Sequence, residues 1–376
     1  MSGSVELSIV LSMLGIFSLS GTIGNALVLY IYLKKKDITT SSLFILTLAA
    51  TDMFTCLVII PYNIIVLNVD YQLEYEFVCK LYMFLITCNV PFSAFIMVAI
   101  AFDRYFCICH PFLHAITIPR AKVIAFTMGL FACFLGIITS MCYGIVPYDE
   151  DYSNINSTLN GISNASINII ASVNNTIIHT KQMASDNKSE GNVFAGMCFP
   201  SNDVFDISFT IVYQKIYAGF YLLSFLIVFV LYGLIYRSIH VRRAQKAKRK
   251  RTSLYPSSPT EYSAAETQLT ILNGTDTDCK ECEPEQKKFR KRTIGLKEKV
   301  LCANIRTAAM LFIVTVVFLF AFLPAWLMAH DLLTYNMVVF YMYFIYNVGN
   351  PVIYAFMNNS FRDDVRMLCK RIFKRK

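Results

Sequence analysis

The sequence predicts an all-α membrane protein, a bundle of seven transmembrane helices with a short amphipathic helix after the seventh span. Three observations predict it. First, 56% of the 376 residues are apolar or aromatic and only 16% are charged, against about 25% charged in a typical soluble domain. Second, the apolar residues fall into seven runs, each close to the roughly 20 residues that cross a bilayer as a helix. Third, Lys and Arg gather in alternate connections between those runs, as the positive-inside bias requires.

The runs are Ser8–Leu33, Leu43–Leu67, Leu81–Phe102, Val123–Val146, Ile216–Tyr236, Thr307–Ala329 and Met337–Phe356. Lipid offers the backbone no hydrogen-bond partners, so each run is expected to close its own bonds as a helix. The first run is too long for a cleaved leader, and its basic cluster Lys34-Lys35-Lys36 follows the apolar stretch. It reads as a signal-anchor with the N-terminus outside. Asp52 is the one acidic or basic residue, among Asp, Glu, Lys, Arg and His, inside the runs. No internal repeat of the kind that builds many transporters is visible.

With the N-terminus outside, 30 of the 34 Lys and Arg lie on the inner side, and the four exceptions are Lys80, Lys181, Lys188 and Lys215. The net charge of +9 is therefore a topological signal, and binding to nucleic acid is not expected. The outer face is left net acidic, which suits a cationic ligand or simply a solvated surface. Residues 1–7 are expected to be a short extracellular segment and residues 8–357 the transmembrane domain. Residues 148–207 form a long extracellular loop. It carries the N-x-S/T sequons of Asn156, Asn164, Asn174 and Asn187, which are candidate glycosylation sites. Residues 237–306 form a long cytoplasmic loop with two basic ends, read as extensions of the flanking helices, and a polar middle. Its lone Cys279-Lys280-Glu281-Cys282 is too few ligands for zinc.

Residues 358–376 change texture. Phe361, Val365, Leu368 and Ile372 recur at helical spacing with Arg362, Arg366, Lys370 and Arg371 between them. That pattern predicts a basic amphipathic helix on the inner leaflet. Cys369 is either a palmitoylation site that reinforces it or a free thiol.

A set of residues then recurs in a fixed order along these helices. It comprises Gly24-Asn25 in the first, Leu48-Ala49-Ala50-Thr51-Asp52 in the second, Cys79 and Asp103-Arg104-Tyr105 in the third with Pro111 after it, Phe318 and Pro324 in the sixth, and Asn350-Pro351-Val352-Ile353-Tyr354 in the seventh. The step from Cys79 to Arg104 is 25 residues. This ordered set resembles the rhodopsin-like (class A) G-protein-coupled receptors, as a divergent, neuropeptide-receptor-like member.

The resemblance implies roles, each with a plainer alternative. Asp103, Arg104 and Tyr105 would hold the inactive state and release Arg104 to a heterotrimeric G protein. The second acid that often restrains this arginine is replaced by Asn304, which predicts raised basal activity. Phe112 would dock into the G protein or pack in a short loop helix. Asn350-Pro351 would hinge the last span so that Tyr354 swings toward Tyr232, or be a simple kink. Asn25, Asp52, Asn89, Ser93 and Asn350 would form a sodium site, or Asp52 would be a hydrogen-bonded acid without an ion. Cys79 and Cys198 are the two cysteines expected outside, and an oxidising compartment favours their disulfide.

Departures from the family pattern narrow the ligand. Ile86 stands where amine receptors have an aspartate, and Phe344 where retinal receptors have a lysine. Phe322 replaces the usual tryptophan of the sixth helix, Ser224 replaces a proline in the fifth, and Trp326 is the only tryptophan. The leading expectation is a peptide ligand touching Tyr82, Met83, Ile86, Phe322, Trp326, Asp331, Tyr341 and Tyr343, residues that would otherwise be packing or interface aromatics. A lipid or other small molecule is the competing ligand. A transporter or channel is the competing class, although such proteins usually carry several charged groups in the membrane. No nucleophile–base set or metal-ligand cluster points to an enzyme. The expected setting is the plasma membrane, with arrestin and a receptor kinase as further partners.

Overall fold

A computed structural model describes residues 2–35, 38–111, 113, 115–146, 196–254, 283–330 and 332–373. Its helices are α1 (Ser2–Leu33), α2 (Thr40–Asn68), α3 (Glu76–Cys109), α4 (Ile118–Cys142), α5 (Ile207–Leu254) and α6 (Glu283–Ala329), then α7 and α8. α7 is composite: Met337–Tyr341, a 3₁₀ turn at Met342–Phe344, and Ile345–Met357. α8 is Asn359–Phe373. Among the described residues six helices, α1 to α6, are long and apolar enough to cross a membrane, while the last expected span is broken by its 3₁₀ turn.

Several boundaries differ from the sequence expectation. α1 begins at Ser2, so residues 2–7 of the expected outer segment are helical. Val5 and Leu7 continue its apolar run, and the Ser8 and Ser12 hydroxyls donate back to carbonyls of their own helix. The fourth span ends at Cys142, and Tyr143–Val146 form strand β2 instead. This segment has β-favouring residues and a partner at hand, β3 (Gly196–Pro200), which pairs antiparallel with Ile145 opposite Cys198. A two-residue β1 (Gln72–Leu73) adds to the other edge of β3, giving the order β1-β3-β2. α5 and α6 run on to Leu254 and from Glu283, as the basic loop ends predicted.

α3 is the most buried of the long helices, and α1 and α4 the least. α3 packs against α2, α4, α5 and α6, which makes it the axis of the bundle. The outward faces are apolar, for example Leu19, Ile23, Phe126 and Phe229. Such a contiguous exposed apolar surface is what lipid covers. Small residues set the closest approaches. A Cβ at Gly24 would lie 2.9 Å from Pro351 Cγ, and one at Gly136 would lie 2.8 Å from Cys88 Cβ, so glycine permits the α1–α7 and α3–α4 contacts.

Prolines shape the helices, and three of the carbonyls they leave unpaired find side-chain donors. A proline lacks the N–H that would bond the carbonyl four residues earlier. Pro91 frees the Thr87 carbonyl, and the Tyr217 hydroxyl of α5 donates to it at 3.0 Å. Pro351 frees the Asn347 carbonyl, and Asn25 Nδ2 of α1 donates to it at 2.8 Å. In α2 the turn Thr55–Ile59 is π-helical, with Ile60 N–H bonded to the Thr55 carbonyl. Pro61 follows, and in that wider register its missing bond is to Cys56. The Ser18 hydroxyl fills the gap by donating to the Cys56 carbonyl at 2.7 Å. A buried carbonyl without a partner costs about 1–3 kcal/mol, so each of these cross-helix bonds also fixes helix placement.

Candidate functional site

The chemistry-bearing residues fall at three levels of the bundle. At one end the sheet lies over α3, tied by the Cys79–Cys198 disulfide with a Cα–Cα distance of 5.4 Å. The bond closes a loop with a sequence separation of 119, which by chain entropy stabilises the fold by about 5 kcal/mol. Two residues in the adjoining turn, Asp70 and Tyr71, have left-handed backbone at φ 51° and 59°. They are the only non-glycine residues so placed among those described. Non-glycine side chains pay strain there and need surrounding contacts to hold them. The contacts are explicit. Tyr71 N–H donates to Val66, its carbonyl accepts from Cys198 N–H at 3.2 Å, and its hydroxyl meets that of Tyr341 at 2.6 Å.

The residues expected to touch ligand lie below this turn, except Asp331, which is outside the described residues. Tyr82, Tyr341 and Tyr343 are interior residues. The Tyr82 hydroxyl donates to Asn63 Oδ1 at 2.6 Å, and its ring stands edge-on to Tyr62 and Tyr71. Met83, Ile86, Phe322 and Trp326 are half-buried. Phe322 joins Tyr221 of α5 and Tyr343 of α7 at centroid distances of 4.8 and 5.5 Å. Trp326 Nε1 donates to the Ala218 carbonyl at 3.4 Å. The expected contacts thus divide into a set of buried tyrosines and a more open apolar set along α3 and α6.

In the middle, Asp52 is fully buried and accepts from Asn350 Nδ2 at 2.6 Å. None of the ion pairs among the described residues includes it. The five residues expected around it divide. Asn25 is held by the Gly21 and Asn347 carbonyls. Asn89 Nδ2 donates to Thr55 Oγ1 at 2.7 Å, one turn from Asp52. Asp52 Oδ1, Asn350 Oδ1 and Ser93 Oγ are buried and have no protein hydrogen-bond partner. Thr55 and Tyr346 join this level without having been singled out by sequence.

At the opposite end, Arg104 is paired with Asp103 through two donors, Nε at 3.0 Å and Nη2. Both side chains are at most 4% exposed. Asn304, at the base of α6, is half-buried and brings no charge. Tyr105 reaches His110 Nε2 at 3.2 Å. Tyr232 packs against Phe312 with ring centroids 4.9 Å apart and planes inclined at 56°, beside an apolar cluster of α3, α5 and α6. Tyr354 lies fully buried in the main core, so the structure places these two tyrosines in different clusters. Phe112 lies outside the described residues. α8 docks by Phe361, which is buried and stacked on Tyr32, and by Asn358 Nδ2 donating to the Tyr32 hydroxyl at 3.0 Å. Arg362, Arg366 and Lys370 are exposed, and Cys369 is an exposed free thiol. The four glycosylation sequons and the Cys279–Cys282 pair lie outside the described residues.

Comparison with known proteins adds a family match over part of the chain. The 7 transmembrane receptor (rhodopsin family) description matches residues 24–160, which include Asn25, Asp52, Cys79 and Arg104. Galanin receptor 2b of Danio rerio is 31% identical over 152 residues, 39% of this chain and 39% of that receptor. The match thus spans well under half of that relative. Cholecystokinin receptor type A of Cavia porcellus is 25% identical over 369 residues, 92% of this chain and 77% of that receptor. The QRFP-like peptide receptor of Branchiostoma floridae is 29% identical over 129 residues, 34% of each chain.

Proposed function

We propose that this chain, which belongs to the rhodopsin-like family of seven-transmembrane receptors, is a G-protein-coupled receptor for an extracellular peptide. The family is one of receptors, not enzymes, and the apolar helices make the chain a multi-pass membrane protein. The observation that carries the coupling assignment is the buried Asp103–Arg104 pair at the end of α3 far from the disulfide. The guanidinium there is held within its own helix, by the Asp103 carboxylate and the Cys107 sulfur, and removal of the Asp103 charge would release it. A released arginine offers five donors to a protein partner entering between α3, α5 and α6.

The Lys and Arg asymmetry supports this end, and the C-terminus, being cytoplasmic. The disulfide end then faces outward with its acids Glu6, Asp70, Glu74, Glu76, Asp203 and Asp206. That charge supports a cationic peptide. Relatives named as receptors for galanin, cholecystokinin and a QRFP-like peptide support a peptide ligand. Met83, Ile86, Phe322 and Trp326 form the half-open surface on which such a ligand would act. Glycosylation of the sequon-bearing loop, palmitoylation of Cys369, and engagement of arrestin and a receptor kinase belong to the same reading.

The Asp52 level fits a sodium ion. Asp52 Oδ1, Ser93 Oγ and Asn350 Oδ1 are buried oxygens without a protein donor, and a buried carboxylate needs a compensating charge. One carboxylate with neutral oxygens suits a monovalent ion better than calcium, which takes more oxygen ligands, several of them carboxylates. A bound sodium ion would supply that charge and hold α2, α3 and α7 in the inactive packing.

A peptide library screened on cells expressing the chain, with calcium and cyclic-nucleotide readouts, tests the ligand class. Response to a peptide supports the assignment. Response to lipids alone would overturn the peptide part of it.

A further inference from the structure

We infer that Tyr221 of α5 is a positioning residue that braces the proline bend of α6 and restrains its movement, an inference that rests on the G-protein reading above. Two side-chain bonds run in opposite senses between these helices. The Tyr221 hydroxyl donates to the Leu319 carbonyl of α6 at 2.9 Å, across 98 positions of sequence. Trp326 Nε1 of α6 donates to the Ala218 carbonyl of α5 at 3.4 Å. Leu319 lies five residues before Pro324 and Trp326 two residues after it. The two bonds therefore tie α6 to α5 on both sides of its proline.

Pro324 has no N–H to bond the Phe320 carbonyl, so α6 pivots most easily at this point. α5 carries no proline between Ile207 and Leu254 and is the stiffer of the pair. Tyr221 is buried, and its ring lies 4.8 Å from that of Phe322 and 6.2 Å from that of Trp326, centroid to centroid. Phenylalanine would make the same ring contacts, and the hydroxyl adds the bond to α6. A partner entering at the Arg104 end needs the inner half of α6 to swing away from α5. Leu319 belongs to that inner half, so the Tyr221 bond opposes the swing. The Trp326 bond sits on the half-open surface proposed for the ligand. A ligand group that draws the indole from the Ala218 carbonyl loosens the brace from the outer side, and so favours the opened form.

The chain's one tryptophan gives the test a probe inside the brace. With nitrogen-15 in the indole, the full chain in lipid nanodiscs shows a single indole N–H resonance, that of Trp326. Tyr221→Phe should move this resonance and speed its hydrogen exchange, because both bonds hold the same two helix segments. A resonance unchanged in position and in exchange overturns the inference. The second reading is ligand-free nucleotide exchange on a panel of purified heterotrimeric G proteins, with Asp103→Asn as the reference for a released Arg104. Per folded receptor, Tyr221→Phe should exchange roughly fivefold faster than the native chain, the equivalent of about 1 kcal/mol. A lost packing contact alone would not raise the rate. An unchanged or lower rate in Tyr221→Phe, with Asp103→Asn raised, defeats this inference and leaves the G-protein reading standing. No exchange from any of the three chains defeats that reading and the restraint drawn from it together.

Discussion

The hydroxyls of Tyr71 and Tyr341 meet at 2.6 Å, although the two residues are 270 positions apart. The bond joins the strained turn after α2 to the first segment of α7. Because the Tyr71 carbonyl also accepts from Cys198, it joins both to the disulfide-bonded strand. Loss of either hydroxyl leaves the other without this partner. Tyr71→Phe and Tyr341→Phe are each expected to lower stability by about 1–2 kcal/mol. The double variant should cost little more than either single, because both remove one bond. Thermal unfolding of the three variants checks this, and simple additivity would count against a shared bond.

Asn25 is expected to act through the Asn347 carbonyl that Pro351 leaves free. Asn25→Ala strands a buried acceptor, and a loss of about 1–3 kcal/mol follows. Asn25→Ala combined with Pro351→Ala should recover part of that loss, since a backbone N–H returns to bond Asn347. The readout is the unfolding midpoint of single and double variants. A double variant as unstable as the sum of the singles would show that the proline is not the reason for the asparagine.

The disulfide closes a long loop at the end of the bundle opposite Arg104. Cys79→Ser is expected to remove about 5 kcal/mol by chain entropy and to leave little folded receptor at the cell surface. Surface labelling of intact cells measures it. Undiminished surface display with normal thermal stability would contradict the structural role.

Asp103 holds Arg104 with no second acid on α6, where Asn304 stands. Ligand-independent nucleotide exchange is therefore expected in the native chain, and more of it in Asp103→Asn. Asn304→Glu should lower it by adding the missing restraint, worth about 1–3 kcal/mol as a hydrogen-bonded charge pair. Exchange assays without ligand compare the three. Equal rates in all of them would mean that Arg104 is not what limits basal signalling.

Much of this was legible in the sequence because membrane physics writes itself into composition. Apolar run length predicted seven spans, of which six stand as long apolar helices among the described residues, and a single acid inside those runs, Asp52, marked the polar middle. Cys79 and Cys198 were paired by compartment, and the structure joins them. The α8 stripe was readable because Phe361 and Val365 repeat at helical spacing. Other features depend on contacts far apart in the chain. Nothing local shows that Tyr217 caps the carbonyl freed by Pro91, or that Asn25 caps the one freed by Pro351. Tyr71 sits in a left-handed turn with no glycine to announce it. Tyr143–Val146 read as helix by hydropathy, which does not register that β3 waits to pair with them. The break in α7 at Met342–Phe344 has no proline or glycine at its own position, and hydropathy alone ran through it.

The most direct measurement of the central claim is guanine-nucleotide exchange on a panel of purified heterotrimeric G proteins, with the full chain in nanodiscs and peptides as ligands. The account predicts peptide-stimulated exchange on at least one G protein, lost in Arg104→Ala while peptide binding persists. No exchange on any of them, together with substrate flux or current through vesicles holding the chain alone, would contradict it.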